Sequence, residues 1–206
     1  MSTEVNGGRP SRSRGRPRLE IDRDAVADAV AELFSEGGIE AVSIADTAEK
    51  LSVSRATLYR TVPTKEELLG ILFERSTREL TERTDAVLAS TSEPDQQLVE
   101  LIRLQAEAAI QMRSYMPVFF GGGGLPPDVF MRWRKWSRQF EKRWSTVVAA
   151  CMDKGCLDKN DPVVATRLIL GMIIWVSRWY RPSEKITADQ IADSAITLLR
   201  LKLPKA

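Results

Sequence analysis

Apolar side chains recur at three- and four-residue intervals along nearly the whole chain, and this spacing is what most constrains its fold. It is the period of an α-helix that buries one face. No stretch alternates apolar and polar residues as a half-buried strand does, and no internal repeat is present. Of the 206 residues, 43% are apolar and 28% are charged, a balance typical of a folded globular protein. We therefore predict an all-α fold of about nine helices.

Helix-capping residues mark the starts of the first four predicted helices. The candidate N-caps are Asp22, Ser43, Ser54 and Thr64. The first helix is predicted to end at Gly37-Gly38 in a left-handed turn, and the fourth is predicted to be long. Beyond Thr91, breaks at Gly and Pro residues divide the chain further. The remaining predicted helices lie near residues 95–113, 115–120, 127–154, 162–181 and 188–202.

Two short capped helices, separated by the turn Leu51-Ser52-Val53, predict a helix-turn-helix. In that motif the second helix lies in the major groove of DNA. A helical hairpin inside a bundle would give the same pattern, so the side chains must decide. Leu58 is the expected apolar anchor. The residues suited to bases or phosphates are Ser54, Arg55, Ala56, Thr57, Tyr59 and Arg60, with Lys65 at the start of the next helix. For each of them a solvated basic face is the alternative.

The segments Ser43-Ile44-Ala45-Asp46-Thr47-Ala48, Val53 to Tyr59 and Lys65 to Leu68 resemble the head of the tetracycline-repressor (TetR) family. The resemblance covers about residues 23–75. It implies a DNA-binding transcription regulator, and it implies that the DNA-facing residues are Ser43, Ser54, Arg55, Thr57, Tyr59, Arg60 and Lys65. Ala56 and the N-cap Thr64 complete our candidate set.

The chain departs from the family pattern in two places. Ser52 stands where the family usually has the glycine of the turn, so the turn requires a non-glycine residue in an unusual conformation. Thr61-Val62 replace the usual two aromatic residues, which removes an aromatic phosphate contact and shrinks the seam between the third and fourth helices. The expected consequence is a changed docking angle on the same fold.

Residues 1–21 are rich in Gly, Ser, Pro and Arg and lack an apolar period, so we expect a disordered basic arm. Residues 1–20 hold five arginines against Glu4 and Glu20, whereas the net charge of the whole chain is only +2, so the positive charge is concentrated in the arm. Gly15-Arg16-Pro17-Arg18 resembles the core of an AT-hook, which presents arginines to a narrow minor groove. A phosphate-binding tail is the alternative. The candidate DNA contacts here are Arg12, Arg14, Arg16 and Arg18.

Composition excludes several classes of function. The chain contains no histidine, so His-based nucleophile pairs, His-based zinc sites and imidazole bases are unavailable. The only cysteines, Cys151 and Cys156, do not match a paired CxxC zinc pattern, and we interpret them as reduced packing thiols. We expect no metal, no cofactor and no enzymatic activity. The longest apolar run, Leu168 to Val176, is far short of the ~20 residues that span a bilayer, so we expect a cytoplasmic protein.

The predicted helix at residues 162–181 is apolar nearly all round and must therefore be covered on two sides. Gly171 allows a close helix crossing, and the last helix offers a second apolar face. The last two long helices could therefore form a four-helix interface in a homodimer. The TetR resemblance implies the same arrangement. A large monomeric core is the alternative.

The predicted helix at residues 127–154 carries a heavy aromatic stripe, which is either core or the wall of a pocket. The TetR resemblance implies an effector cavity among the middle helices. The candidate ligand-binding residues are Phe119, Phe120, Phe130, Trp133, Trp136, Phe140, Trp144, Met172, Trp175, Arg178 and Trp179. The run Gly121 to Gly124 is a lid or a plain loop.

The stretch Gly171 to Pro182 resembles TetR regulators of fatty-acid or sterol catabolism, several of which respond to acyl-CoA thioesters. A CoA ligand requires cations for its phosphates. The candidate cations are Arg132, Arg134, Arg138, Arg143, Arg178 and Arg181.

These patterns predict a basic arm at 1–21, a helix-turn-helix domain at 22–67 and a ligand-binding and dimerisation domain at 68–206. The leading hypothesis is a homodimeric repressor that binds a palindromic operator. A small apolar effector, for which an acyl-CoA thioester is one candidate, releases the repressor from the DNA. One alternative keeps the fold but senses a hydrophobic drug or metabolite without CoA, as efflux regulators do. A remote alternative is a helical carrier or enzyme for acyl thioesters.

Overall fold

The structure, a computed structural model, describes residues 21–121 and 125–201, with the backbone alone for residues 120 and 121. The described residues form ten α-helices and no strands. The helices are α1 (Arg23–Ala41), α2 (Ile44–Lys50), α3 (Arg55–Tyr59), α4 (Lys65–Ser90), α5 (Pro94–Gln111), α6 (Met116–Gly121), α7 (Pro127–Lys154), α8 (Pro162–Ile174), α9 (Val176–Trp179) and α10 (Ala188–Leu198). The all-α prediction is confirmed, and its count of nine holds when α8 and α9, one residue apart, are taken together.

The four predicted N-caps are confirmed. Asp22 accepts a hydrogen bond from the backbone N–H of Asp24 at 2.9 Å. The hydroxyls of Ser43, Ser54 and Thr64 each accept one from the backbone N–H three residues later, at 3.1 Å. Each cap satisfies a backbone donor that has no partner within its helix. The starts of α1 to α4 are therefore set by local sequence.

The regular part of α1 is interrupted at Gly37-Gly38, as predicted, and residues 39–41 form a last helical segment beyond the kink. Gly38 has φ +69°, a left-handed conformation that glycine adopts without steric cost.

The prediction of a single helix at residues 162–181 is wrong, because the structure divides this segment at Trp175 into α8 and α9. The hydroxyl of Ser177 donates to the carbonyl of Ile174 at 2.8 Å. The N–H of Arg178, which would bond to that carbonyl in a continuous helix, bonds instead to the carbonyl of Trp175 at 2.9 Å. Side-chain competition for a backbone acceptor thus tightens this turn.

Two apolar cores follow one another along the chain. The head core combines α1, α2 and α3 with the first half of α4, and it also takes residues from α6 and the start of α7. The body core combines α5, α7, α8, α9 and α10 with the middle of α4. Since α4 enters both cores, the division at residues 67 and 68 falls inside a packed helix, and these domain bounds stay a prediction.

Ile21, predicted as part of the disordered arm, is partly buried against the head core. The residue before an N-cap commonly packs on the helix that follows it. The rest of the arm, with Arg12, Arg14, Arg16 and Arg18, lies outside the described residues.

Both cysteines are buried and free. The thiol of Cys156 donates to the carbonyl of Cys151 at 3.2 Å, just beyond the end of α7. Burial raises the pKa of Cys151, so this thiol stays protonated. The packing role predicted for these residues is consistent with that environment.

Candidate functional site

The helix-turn-helix presents α3 as an exposed helix anchored by one side chain. Leu58 is fully buried in the head core, whereas Arg55, Ala56 and Arg60 are exposed and Tyr59 is 59% exposed. Within the described residues, neither Arg55 nor Arg60 forms a hydrogen bond or an ion pair through its side chain. The guanidinium groups are therefore unengaged and face solvent, as groups that bind phosphates or bases must.

The turn before α3 contains Ser52 with φ +54°. This left-handed conformation is the one that the missing glycine would adopt without strain, so the serine carries a steric cost at this position. The backbone N–H groups of Ser52 and Val53 bond to the carbonyls of Glu49 and Ala48 at 2.9 and 3.0 Å, which closes the turn. The predicted non-glycine turn is confirmed.

Val62 occupies the seam between α3 and α4, where it is 1% exposed, while Thr61 faces solvent. The N–H of Val62 bonds to the carbonyl of Leu58 at 2.8 Å, so this small residue joins the end of α3 directly to the head core. The seam is filled without an aromatic side chain.

Several of the predicted DNA-facing hydroxyls have a structural role in the free protein. Ser43 caps α2 and also donates to the Asp46 carboxylate, and Ser54 caps α3 while sharing a 2.7 Å hydrogen bond with Thr57. Thr64 caps α4, whose first-turn residue Lys65 lies 4.0 Å from Glu40, measured from Nζ to Oε2. At that distance the lysine is only loosely paired and can turn toward a phosphate.

A cavity of about 360 Å³ lies among α4, α5, α6, α7 and α8. Its wall is mainly apolar and aromatic. The predicted ligand-binding residues that line it are Phe119, Trp133, Trp136 and Phe140. Phe73, Leu80, Tyr115 and Met116 line it as well. The volume falls within the range of small-molecule sites, which begins at about 300 Å³.

The other predicted ligand-binding residues lie elsewhere. Trp144 is 1% exposed inside the body core, and Phe130 stacks on Trp133 with ring centroids 5.7 Å apart. Of Phe120 only the backbone is described. Met172, Trp175 and Trp179 line a separate groove between α8, α9 and α10, and Arg178 is exposed on α9. The aromatic stripe of α7 therefore serves partly as cavity wall and partly as core.

Polar side chains that the sequence analysis did not predict as ligand-binding also line this cavity. Gln105, from α5, is 2% exposed, and its Oε1 atom has no hydrogen-bond partner. At the solvent side, Arg167 of α8 pairs with Glu141 of α7 at 2.9 Å. The available signal for Gln105 was its place in the apolar period of α5, where an amide interrupts a run of core positions.

Tyr115 and Ser76 connect the cavity wall to the head. Their hydroxyls lie 3.2 Å apart, and burial raises the pKa of Tyr115, so the phenol stays neutral. The Tyr115 ring lies 6.0 Å from that of Phe34 in α1 and 5.8 Å from that of Phe119. Phe119 in turn lies 5.6 Å from Phe73 of α4. The cavity thus shares a wall with the head core.

A larger open groove of about 600 Å³ runs between α1, α4 and α5, but six of its fifteen lining residues are charged. Arg75 in this groove pairs with Asp28 and lies 3.6 Å from Glu79. A groove of paired charges is unsuited to an apolar ligand, so the smaller cavity is the better candidate.

Most of the arginines considered for CoA phosphates are already engaged. Arg132 pairs with Glu74 and Asp128, and Arg143 pairs with Asp85 at 3.1 Å. Arg181 donates to three carbonyls at the end of α9, and Arg134 lies 5.9 Å from the ring centre of Phe130. In the described part of the chain, Arg138 and Arg178 form no ion pair.

The outer face of α8 and α9 is apolar and uncovered. Leu168 is 67% exposed, Trp175 63% and Val164 48%, and a Cβ added at Gly171 would meet no atom within 4 Å. Their spacing places all four residues on one side of the helix. We call this set, together with Leu198 of α10, which is 74% exposed, the outer face. A groove of about 900 Å³ runs along it.

The segment Pro162–Trp179, which carries most of the outer face, is also the one described stretch long and apolar enough to cross a membrane. Its mean hydropathy is 1.3, and 28% of it is buried inside the protein.

Two family models match the chain. Residues 26–70 match the bacterial regulatory proteins of the tetR family, and residues 91–203, more than half of the chain, match the tetracyclin repressor-like C-terminal domain. The chain belongs to the TetR family. The resemblance seen in the sequence is confirmed, and it extends through the body as well as the head.

Similar proteins include other TetR repressors. The chain is 22% identical over 180 residues to the HTH-type transcriptional repressor KstR2 of Rhodococcus jostii, a match that covers 86% of this chain and 88% of that one. A shorter match, 41% identical over 64 residues, is to the HTH-type transcriptional repressor ComR of Escherichia coli, and it covers 31% of this chain and 30% of that one.

Solved TetR structures have the same fold. A TetR/AcrR-family regulator from Thermobifida fusca superposes with a TM-score of 0.73 at 26% identity, covering 86% of this chain and 96% of that one. AibR, in a complex with isovaleryl coenzyme A and operator DNA, gives a TM-score of 0.76 at 19% identity, covering 87% and 99%.

Membership of the TetR family establishes the general function. The protein is a ligand-responsive, DNA-binding transcriptional repressor and not an enzyme. Among the described residues, no group of three or more Cys, Asp or Glu side chains is arranged to hold a metal ion.

Proposed function

We propose that this TetR protein is a homodimeric repressor that binds a palindromic operator and is released by the acyl part of a CoA thioester bound in the 360 Å³ cavity. The apolar cavity that shares its wall with the head core carries the proposal. Residues 22–67 form the DNA-binding domain and residues 68–206 the ligand-binding and dimerisation domain in this proposal. A protein with this role works in the cytoplasm, where the DNA is.

On the DNA side, α3 lies in the major groove. Arg55 and Arg60 bind guanine edges or phosphates, Tyr59 donates to a phosphate, and Lys65 binds a phosphate at the start of α4. Contacts from the capping hydroxyls use the lone pairs that the caps leave free. The arginines of residues 1–20 add contacts along the minor groove or the phosphates.

The homodimer forms through the outer face. A large exposed apolar patch on a protein that is not in a membrane marks an interaction surface. A twofold partner would cover Leu168, Trp175 and Leu198 with the same apolar patch of its own surface, and the open side of Gly171 leaves room for the partner's helix. The same arrangement accounts for the exposure of the apolar segment Pro162–Trp179.

Effector binding acts through the spacing of the two heads. Two copies of α3 must reach major grooves about 34–36 Å apart. A ligand in the cavity presses on Phe119, Phe73 and Tyr115, which also pack in the head core. If the ligand prefers the dimer with mis-spaced heads, its differential affinity for the two states releases the DNA.

The CoA part of the effector cannot enter a cavity with room for on the order of ten non-hydrogen atoms, so it lies outside, beyond the Arg167–Glu141 pair. Arg167 is 65% exposed and can turn from Glu141 to a phosphate. AibR, which has the same fold, holds isovaleryl coenzyme A together with operator DNA.

The pairing of Arg167 with Glu141 also favours a second candidate, a neutral apolar effector without CoA. In the free protein this ion pair leaves little net charge at the solvent side of the cavity. Comparison of a CoA thioester with the alcohol of the same chain separates the two candidates.

The test begins with selection of bound duplexes from a randomised pool at about 150 mM salt. We expect enrichment of an inverted repeat with half-sites about one helical turn apart. Arg55→Ala and Arg60→Ala should weaken binding to that duplex, and Arg143→Ala, which changes a paired arginine of the body, should leave it unchanged.

Acyl-CoA thioesters of increasing chain length are then added. Release by thioesters and not by matched alcohols supports the proposal, and the reverse supports the neutral effector.

A further inference from the structure

We propose that the side-chain amide of Gln105 binds a hydroxyl or carbonyl group carried by the effector inside the cavity, so that the protein prefers an oxygenated apolar chain to a plain hydrocarbon chain. This inference rests on the proposed function only in taking the cavity as the effector site. It assigns to α5 a residue that determines specificity.

The first observation is the state of the amide. Gln105 is 2% exposed and lines the cavity, and its Oε1 atom is buried without a hydrogen-bond partner. Among the described residues with such an unpartnered buried atom, which also include Thr47, Thr84 and Trp144, Gln105 alone borders this cavity.

The second observation is that the neighbouring polar groups of the cavity wall are engaged. Ser76 donates to the carbonyl of Leu72 at 2.9 Å, and Thr77 donates to that of Phe73, also at 2.9 Å. The indole N–H of Trp136 donates to Thr81 at 3.0 Å. Ser137 donates to the carbonyl of Arg134 at 3.2 Å, and Glu141 is paired with Arg167. Tyr115 shares its hydroxyl with Ser76 at 3.2 Å. Among the described residues that line the cavity, Gln105 is the one whose side chain has a buried polar atom without a hydrogen-bond partner.

Oε1 of Gln105 accepts no hydrogen bond from the protein, and a buried acceptor left in this state carries a desolvation cost. A hydrophobic residue of the same shape would remove that cost. A ligand oxygen also removes it, since a hydroxyl both donates to Oε1 and accepts from Nε2, and a carbonyl accepts from Nε2. The fit requires the oxygen to lie on the part of the effector that enters the cavity.

The experiment uses the full-length protein and two series of ligands. Octanoyl-CoA is compared with hydroxyoctanoyl-CoA thioesters, each with one hydroxyl at a different position of the chain. The measured quantity is release of the selected operator. The corresponding free acids are compared by the rise in Tm that they produce, a readout that needs neither CoA nor DNA. The variants are Gln105→Met, which keeps the unbranched shape, and the control Gln111→Met, which makes the same change at an exposed glutamine of α5 that does not line the cavity.

For the wild-type protein and for Gln111→Met, we expect at least one hydroxylated ligand to act at concentrations about tenfold lower than the plain chain. For Gln105→Met, we expect that preference to fall to about one, and the Tm of the ligand-free protein to rise by about 2–4 °C. Equal potency of plain and hydroxylated chains in the wild type, or an unchanged preference in Gln105→Met, would overturn the inference.

The two proposals fail in different ways. If no CoA thioester releases the operator but hydroxylated acids stabilise the wild type more than Gln105→Met, the role of Gln105 stands and the CoA effector is rejected. If plain octanoyl-CoA releases the operator as well as its hydroxylated derivatives do, the CoA effector stands and the role of Gln105 is rejected.

Discussion

Ser52 shows how one residue can carry a measurable cost in the DNA-binding head. Its φ of +54° is a conformation that costs an L-residue roughly 1–2 kcal/mol and glycine almost nothing. Glycine also has more conformational entropy in the unfolded chain, which offsets part of the stabilisation. We expect Ser52→Gly to stabilise the protein by about 0.5–1 kcal/mol, seen as a Tm higher by about 2 °C. Ser35→Gly, inside α1, is the matched control and should lower the Tm; a lower Tm for Ser52→Gly would contradict the prediction.

At this same scale, the sequence predicted what depends on a few neighbouring residues. The caps at Ser43 and Ser54, and the unusual turn at Ser52, follow from local hydrogen bonds and from φ preferences. The unpartnered amide of Gln105 depends on a void among several helices that are distant in sequence. Trp144 and Trp136 lie on the same stripe, and only their packing partners decide that one is core and the other cavity wall.

Among the helices, the start of α5 is joined to the end of α7 by a buried carboxylate. Asp95 is 1% exposed, and Lys154 donates to it at 2.6 Å and also pairs with Glu93. The hydrogen bond from Lys154 lowers the pKa of Asp95. A carboxyl whose pKa is lowered by folding stabilises the protein above its unfolded pKa of about 3.9, and the contribution is lost as the pH falls through the lower, folded value.

Lys154→Ala should therefore destabilise the protein at neutral pH, because it leaves a buried carboxylate unpaired. We expect a Tm lower by roughly 5 °C at pH 7, and a difference from the wild type that shrinks as the pH approaches the pKa of Asp95. Lys159→Ala removes an 82% exposed lysine that lies 4.0 Å from Asp153 and should change the Tm little at any pH. A constant difference for Lys154→Ala across pH would exclude the titration of Asp95 as its cause.

Helix positions followed from apolar spacing and caps, but helix continuity did not. The segment at residues 162–181 has an unbroken apolar period, and its division at Trp175 comes from the hydroxyl of Ser177, which takes a backbone acceptor. The pattern likewise could not show that α4 enters both cores, since the same apolar stripe fits one core or two. The first feature is a local hydrogen bond that apolar spacing does not report, and the second depends on tertiary contacts that no window of sequence contains.

For the whole molecule, the proposed dimer makes each head dependent on its partner. A repressor with one head has the affinity of a half-site, while two joined heads turn the second contact into an intramolecular one. The outer face offers an internal comparison, because Leu168 on α8 and Met131 on α7 are equally exposed, 67% and 65%, and only the first lies on that face. The two residues therefore separate dimer formation from a general effect of exposed apolar surface.

We expect Leu168→Glu to produce a folded monomer and Met131→Glu to remain a dimer, as measured by light scattering with helicity followed by circular dichroism. A carboxylate buried in an apolar interface loses its hydration and gains no partner, and this cost adds to the lost apolar contact. Loss of the second head should weaken binding to the full inverted repeat by about 10²–10⁴-fold and leave binding to an isolated half-site unchanged. A dimeric Leu168→Glu protein would mean that another surface joins the subunits, and the spacing mechanism would then have to act through that surface.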